Sequence, residues 1–138
     1  MNKVVNILLI EDDILDAMDL QRTLDRTRIL YKMKIAKNGE EGLAVLDEAE
    51  DPLFPEKPDI ILLDMNMPRM NGIEFLQILR RREAWKNIKV FVLTTSDESE
   101  DEKVMRSLGI SGYIIKPLKV SNTGSIDAFN LMIDLMNI

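Results

Sequence analysis

The most constraining feature of the chain is an unbroken aliphatic run at residues 60–63 that ends in a carboxylate at Asp64. Four aliphatic residues without alternation predict a strand buried on both faces, as in a parallel sheet with helices above and below. Asp64 would then lie at the carboxyl end of this strand, where ligands bind in open α/β sheets. A single aspartate after a strand is more often a turn or cap residue, so its interpretation depends on the other strands.

Composition excludes several classes of protein. The chain lacks histidine and cysteine, which excludes disulfides, thiolate chemistry, histidine metal sites and phosphorylation of a histidine of its own. A net charge of −6 without a long basic cluster argues against nucleic-acid binding, and Arg80-Arg81-Arg82 is expected to be the solvated end of a helix. No apolar run reaches membrane length and no signal peptide precedes the first strand, so no membrane association and a cytoplasmic location are expected.

Apolar strands alternate with amphipathic helices along the chain, which predicts a single α/β domain over residues 1–138 without an output domain. The strands are predicted at residues 4–10, 32–36, 60–63, 90–93 and 112–115, and the helices at 14–25, 42–48, 73–82, 97–108 and 124–137. The first helix should bury Leu15, Ala17, Leu20 and Leu24. Asn38-Gly39 is expected to be a turn, and the proline-rich loop 51–58 a tolerated insertion.

Polar residues follow four of the predicted strands and would meet at one edge, because the carboxyl ends of parallel strands lie together. They are Glu11, Asp12 and Asp13 after the first strand, Asp64 after the third, Thr94 at the end of the fourth and Lys116 after the fifth. One acid suffices to cap a helix, and clustered carboxylates repel one another unless a cation compensates them. Ligands that are all oxygen favour Mg²⁺ over zinc. Metal, carboxylate nucleophile, hydroxyl and ammonium are the groups that phosphoryl transfer to a carboxylate requires.

Four segments in order resemble the receiver domain of two-component response regulators, in particular the single-domain, chemotaxis-regulator-like members. They are Ile-Leu-Leu-Ile-Glu-Asp-Asp at 7–13, Ile-Ile-Leu-Leu-Asp-Met-Asn-Met-Pro-Arg-Met-Asn-Gly at 60–72, Val-Leu-Thr-Thr at 92–95 and Gly-Tyr-Ile-Ile-Lys-Pro at 112–117. The resemblance covers nearly the whole chain. It implies a flavodoxin-like three-layer sandwich, with a five-stranded parallel sheet in the order 2-1-3-4-5 and five helices on its two faces.

The resemblance also implies a role for each site residue. Asp64 is the phosphoacceptor; Glu11, Asp12, Asp64 and the backbone carbonyl of Asn66 hold Mg²⁺; Thr94 is the switch hydroxyl, Tyr113 the switch aromatic and Lys116 the phosphate-binding ammonium. Asp13 is expected to cap the first helix. The phosphodonor would be a histidine kinase or a histidine phosphotransfer protein, and the output a downstream protein target. Such a chain is not expected to be an enzyme, since it catalyses only its own phosphorylation and dephosphorylation.

Three other functions are open on the residues alone. An aspartate-nucleophile phosphatase usually carries a second acid two residues after the nucleophile, where this chain has Asn66. A flavodoxin-type cofactor binder needs a phosphate loop after the first strand, where the three acids would repel a phosphate. A receiver that is not phosphorylated and serves only for docking is less favoured, because every expected site residue is present.

The last predicted helix carries two apolar stripes, although a surface helix of a monomer needs only one. The second stripe consists of Leu131, Leu135 and Ile138, with Met132 beside it. Exposed apolar patches commonly mark contacts, so this stripe is predicted to be an interface. A homodimer strengthened by phosphorylation is favoured over local burial of the stripe by the chain end and over a different partner on the same stripe. The resemblance further suggests a cis bond between Lys116 and Pro117.

Overall fold

Five parallel strands form the centre of the fold. The computed structural model describes residues 4–27, 29–65, 70–94, 99–115 and 134. The strands are β1 Val4–Ile10, β2 Leu30–Ala36, β3 Ile60–Asp64, β4 Lys89–Thr94 and β5 Gly112–Ile115. The helices are α1 Ile14–Asp25, α2 Gly39–Ala49, α3 Gly72–Arg81 and α4 Ser99–Ser107. The strand order is β2-β1-β3-β4-β5, as predicted. The fifth helix predicted over 124–137 falls outside the described ranges.

The central strand β3 is buried at all five positions, which confirms the prediction from its continuous aliphatic run. Alternate residues of a strand point to opposite faces, so the sheet separates two apolar clusters. Leu8 and Ile61 belong to the cluster that α2, α3 and α4 cover, whereas Ile7 and Leu62 belong to the cluster under α1. Helices therefore lie on both faces of the sheet. The edge strand β2 is more exposed than β3, consistent with its polar alternation.

Side-chain caps fix where the helices begin. Asp13 accepts hydrogen bonds from the backbone N–H of Leu15 at 2.9 Å and of Asp16 at 3.3 Å, so its predicted capping role is confirmed. Asn38 was expected in a turn, but its side chain accepts from the Glu41 N–H at 2.9 Å, and α2 begins directly after it. The prediction of a later start at residue 42 was wrong because an N-cap asparagine resembles a turn residue in sequence.

The first turn of α1 also departs from the prediction. Leu15 was expected in the core, but it is 67% exposed and its neighbour Ile14 is 74% exposed. The buried positions of this helix are Ala17, Leu20 and Leu24. The helix starts only a few residues after the end of β1, so its first turn extends past the sheet edge and has no sheet beneath it. In α4, Met105 is buried, whereas Val104 is exposed.

The environment of Arg80 differs strongly from the prediction. It was expected to be the solvated end of a helix, but its guanidinium donates hydrogen bonds to five carbonyl oxygens. These are Leu108 (2.7 Å), Ile88 (2.8 Å), Gly109 (3.0 Å), Lys86 (3.1 Å) and Trp85 (3.4 Å). Burial lowers the pKa of Arg80, but the guanidinium remains charged. The side chain therefore ties α3 and the α3–β4 connection to the C-terminal end of α4.

The loop that follows α2 is held in place by charged side chains. The Lys57 ammonium donates to the carbonyl oxygens of Ala49 and Asp51, which lie at and just beyond the end of α2. Glu56 forms an ion pair with Lys32 of β2, and Phe54 packs against the apolar cluster that α2, α3 and α4 cover.

In the ranges that the structure describes, no helix is both long enough and apolar enough to cross a membrane.

Candidate functional site

Three acidic side chains meet at the carboxyl edge of the sheet. Glu11 and Asp12 directly follow β1, and Asp64 is the last residue of β3. One carboxylate oxygen from each of the three lies within 4.8 Å of the other two. Glu11 and Asp64 are each 3% exposed, whereas Asp12 is exposed to solvent. The prediction that acids from separate strands converge here is thus confirmed for these three residues.

Local backbone structure explains this convergence. The N–H of Glu11 donates to the carbonyl oxygen of Ala36 at 2.9 Å, which extends the pairing of β1 with β2 by one residue. The N–H of Met65 donates to the carbonyl oxygen of Leu93 at 3.0 Å, which does the same for β3 and β4. Glu11 therefore directly continues β1, and Asp64 lies within the paired part of β3 and β4. The sheet sets the positions of these two acids.

The acidic cluster is suited to a divalent cation. Ionised carboxylates that lie this close together repel one another. A cation between them would turn this repulsion into attraction. All three donors are oxygens, and the exposure of Asp12 leaves room for water ligands, which Mg²⁺ usually retains. The described residues thus fit a magnesium-type ion at this edge.

Thr94 and Tyr113 lie on one face of the two strands that follow. Thr94 is the last residue of β4 and is 2% exposed. Tyr113 pairs with Val92, which lies two residues before Thr94, so Thr94 and Tyr113 point to the same face of the sheet. This is the face covered by α4, where Tyr113 is half-buried and its hydroxyl oxygen is buried. The two residues thus share one face of the sheet, and their switch roles stay predictions.

Gly39 and Gly72 allow methionine side chains of other segments to pack closely against the first turns of α2 and α3. A Cβ on Gly39 would lie 2.8 Å from Met70 Sδ, and a Cβ on Gly72 would lie 3.1 Å from Met105 Cε. Met70 therefore packs closely on the first turn of α2, and the start of α3 lies against Met105 of α4. Sequence reasoning did not single out these contacts, because they join residues far apart in the chain.

Several predicted site residues fall outside the described ranges. They are Asn66, Lys116, the Lys116–Pro117 bond and the interface residues Leu131, Met132, Leu135 and Ile138. Their roles stay predictions. In the other direction, the structure shows a residue that sequence reasoning missed: the Arg106 guanidinium lies over the Tyr113 ring.

The sequence matches the family model for the response regulator receiver domain over residues 7–124. The chain belongs to the response regulator receiver domain family. This result confirms the resemblance, and receivers of this family are signalling domains of two-component systems. The phosphatase, flavodoxin-type and docking-only alternatives are not favoured by it.

Individual relatives agree with this assignment. Response regulator Rcp1 of Synechocystis is 32% identical over 110 residues, which cover 80% of this chain and 75% of Rcp1. A two-component response regulator from Legionella pneumophila has a crystal structure with a TM-score of 0.75 and 39% identity, covering 94% of this chain and 98% of that one. The Mn²⁺-bound form of Rcp1 aligns with a TM-score of 0.74 and 28% identity, covering 95% and 91% respectively. The predicted flavodoxin-like receiver fold is thus confirmed.

Proposed function

We propose that this receiver accepts a phosphoryl group from a phosphohistidine onto Asp64. The observation that carries the proposal is the position of Asp64: a buried carboxylate at the end of the central strand, with oxygens of Glu11 and Asp12 within 4.8 Å. Glu11 and Asp64 are the buried acids among the residues the structure describes. Acids buried in a protein interior are costly to keep ionised, so two buried acids at this edge favour a site that works with a cation and a phosphoryl group.

Mg²⁺ is the proposed ion, with Glu11, Asp12 and Asp64 as the groups that hold it directly or through water. The donor set supports this choice, because carboxylates and water suit Mg²⁺ while zinc prefers nitrogen and sulfur ligands. The related Rcp1 has been crystallised with Mn²⁺, an ion that also favours oxygen ligands. The carbonyl of Asn66 as a further ligand stays part of the prediction.

The proposed reaction needs few groups. A carboxylate oxygen of Asp64 attacks the phosphorus in line; an O–P bond forms as the P–N bond to the donor imidazole breaks, and the imidazole keeps the electron pair. When bound, the cation would offset the charge on the phosphoryl oxygens. Thr94 and Lys116 are proposed to hold those oxygens after transfer. Water then hydrolyses the acyl phosphate and restores Asp64. On this proposal the chain is a signalling protein and does not act on other substrates.

An apolar patch beside the acids supports docking of a phosphodonor protein. Ile14, Leu15 and Met18 are exposed on the first two turns of α1, which begins directly after the acidic residues. A donor that brings a phosphohistidine to Asp64 would cover this patch. A histidine kinase or a histidine phosphotransfer protein is the proposed donor.

The remaining expectations about the chain as a whole are part of the same proposal. They are a downstream protein target, a cytoplasmic location and a homodimer through Leu131, Met132, Leu135 and Ile138. None of these rests on residues that the structure describes, so each stays a prediction.

The experiment is phosphorylation by acetyl phosphate with Mg²⁺, followed by intact mass and peptide mapping. The wild type should gain one phosphoryl group on Asp64, and Asp64→Asn should gain none. Asp13→Asn is the matched control: it removes a neighbouring acid, yet asparagine still caps α1, so labelling should persist. Stoichiometric labelling of Asp64→Asn at another residue would overturn the assignment.

A further inference from the structure

A cation from α4 covers one side of the half-buried aromatic ring of β5. The Cζ atom of Arg106 lies 5.6 Å from the centroid of the Tyr113 ring. This distance is within the range of about 6 Å in which a guanidinium is attracted to the face of an aromatic ring. Arg106 is itself exposed, whereas the hydroxyl oxygen of Tyr113 is buried. The ring is therefore held between the apolar cluster and a charged side chain at the surface.

The backbone around Arg106 is anchored on both sides. Its neighbour Met105 is fully buried, and the carbonyl oxygens of Leu108 and Gly109 accept hydrogen bonds from Arg80. These attachments hold the last turn of α4 against α3. They fix the starting point of the Arg106 side chain, so its position over Tyr113 follows from the packing of the helix.

We propose that Arg106 is a positioning residue for Tyr113, which stabilises the ring in its half-buried position and so favours the conformation that accepts the phosphoryl group. The inference rests on the proposed function, together with the switch roles that the resemblance implies for Thr94 and Tyr113. A contact that exists in one state and weakens in the other shifts the equilibrium by its own free energy. A cation–π contact at an exposed site changes such a population about two- to fivefold.

Phosphorylation at Asp64 should in turn affect the contact between Arg106 and Tyr113. Because coupling between two sites is reciprocal, phosphorylation at Asp64 should increase the fraction of molecules in which Arg106 covers Tyr113. Arg106 is exposed on α4, so this change would be visible to a partner that binds α4. The switch would thus be presented at the surface as an arginine that is either held over the ring or released.

The test measures the position of the ring and the phosphorylation rate separately. Fluorotyrosine is incorporated in a Tyr31→Phe background, so that Tyr113 is the sole tyrosine, since the chain has two. The fluorine spectrum then reports the buried and exposed populations of the ring. Arg106→Ala should lower the buried-to-exposed ratio about two- to fivefold. It should lower the initial rate of labelling by acetyl phosphate in proportion to the fraction of molecules in which the ring is buried.

The controls separate a specific contact from a general effect of charge. Lys103→Ala removes another exposed cation of α4 and should leave both measurements unchanged. Tyr113→Leu removes the ring, and in that background Arg106→Ala should no longer change the labelling rate. A wild-type ring population and labelling rate in Arg106→Ala would overturn the proposal, as would an equal loss of rate with and without Tyr113. If the wild type is not labelled at Asp64, the proposed function fails instead, and the fluorine populations still decide whether Arg106 positions the ring.

Discussion

Replacement of Arg80 by alanine tests whether one side chain holds α4 to the rest of the domain. The guanidinium spans three elements through five carbonyl oxygens, three of them at 2.7 to 3.0 Å. Hydrogen bonds from a charged donor contribute about 1.5–3 kcal/mol each in mutational series. The low end of that range applies here, because Arg80 is partly exposed and water can replace it at several carbonyls.

The expected loss follows from these values. Three short bonds at the low end give about 4–5 kcal/mol, and about 2 kcal/mol of arginine side-chain entropy offsets part of it. Arg80→Ala should therefore lower the free energy of unfolding by about 2–3 kcal/mol. In a chain of 138 residues each kcal/mol corresponds to about 3–5 °C in Tm, so a decrease of roughly 6–15 °C is expected. Arg80→Lys should recover less than half, because an ammonium lacks the planar fork that reaches several carbonyls at once.

Urea unfolding followed by the fluorescence of Trp85 provides the assay. Trp85 is the sole tryptophan, it is buried, and its own carbonyl oxygen accepts from Arg80, so it reports both global unfolding and the local connection. Arg81→Ala is the matched control, since Arg81 is an exposed arginine at the next position of the same helix. If the two variants differ by less than about 0.5 kcal/mol, the network does not hold α4, and the assignment of an anchoring role to Arg80 is wrong.

Three further predictions concern the site, the packing of α2 and the edge of the sheet. Mg²⁺ at ten times its Kd should stabilise the wild type by roughly 1.4 kcal/mol, which a thermal melt detects as an increase in Tm. Asp12→Ala should remove most of that increase in Tm. An unchanged increase in the variant would exclude Asp12 as a ligand. Gly42→Ala should lower the free energy of unfolding by about 1–3 kcal/mol in chemical unfolding, because the new Cβ would lie 2.6 Å from Ile10 Cδ1. This loss is expected although alanine is the better helix former. A more stable variant would contradict this packing. Burial and a 2.6 Å hydrogen bond to Asp25 raise the pKa of Tyr31 to about 12. The stabilisation from Tyr31 should thus be complete below pH 10 and lost as the pH rises through 12. Absorbance titration should show that the tyrosine transition absent from Tyr31→Phe occurs near pH 12 in the wild type, and a transition near pH 10 that is missing from the variant would refute this.

The parts of the fold that the sequence predicted are those determined by local pattern. A continuous aliphatic run such as that of β3 is compatible with few environments, and an acid at its end falls at the ligand-binding edge of a parallel sheet. Glu11, Asp12 and Asp64 could therefore be grouped before the structure was known, because strand order and direction alone bring them together.

The features that the sequence did not predict depend on contacts between distant segments. Arg80 looks like one of three solvated arginines until the carbonyls of Leu108 and Gly109 are placed beside it, 28 and 29 residues away. Leu15 has the spacing of a core residue, but its burial depends on where the sheet ends beneath the helix. Periodicity gives the face of a helix and carries no information about the length of the strand beneath it.

The two faces of the sheet also separate two steps of the proposed signalling cycle. The exposed apolar patch of α1 lies on one face, and the helix packs there against the cluster that contains Leu62. Tyr113 packs on the other face, in the cluster covered by α4. Asp64 ends the strand between these clusters. Under the proposed function a phosphodonor would approach along α1, whereas Thr94 and Tyr113 lie on the face that α4 covers. On this proposal, the phosphodonor and the downstream target therefore use separate surfaces. The target can recognise the phosphorylated form at α4 without covering the surface of α1 to which the donor binds.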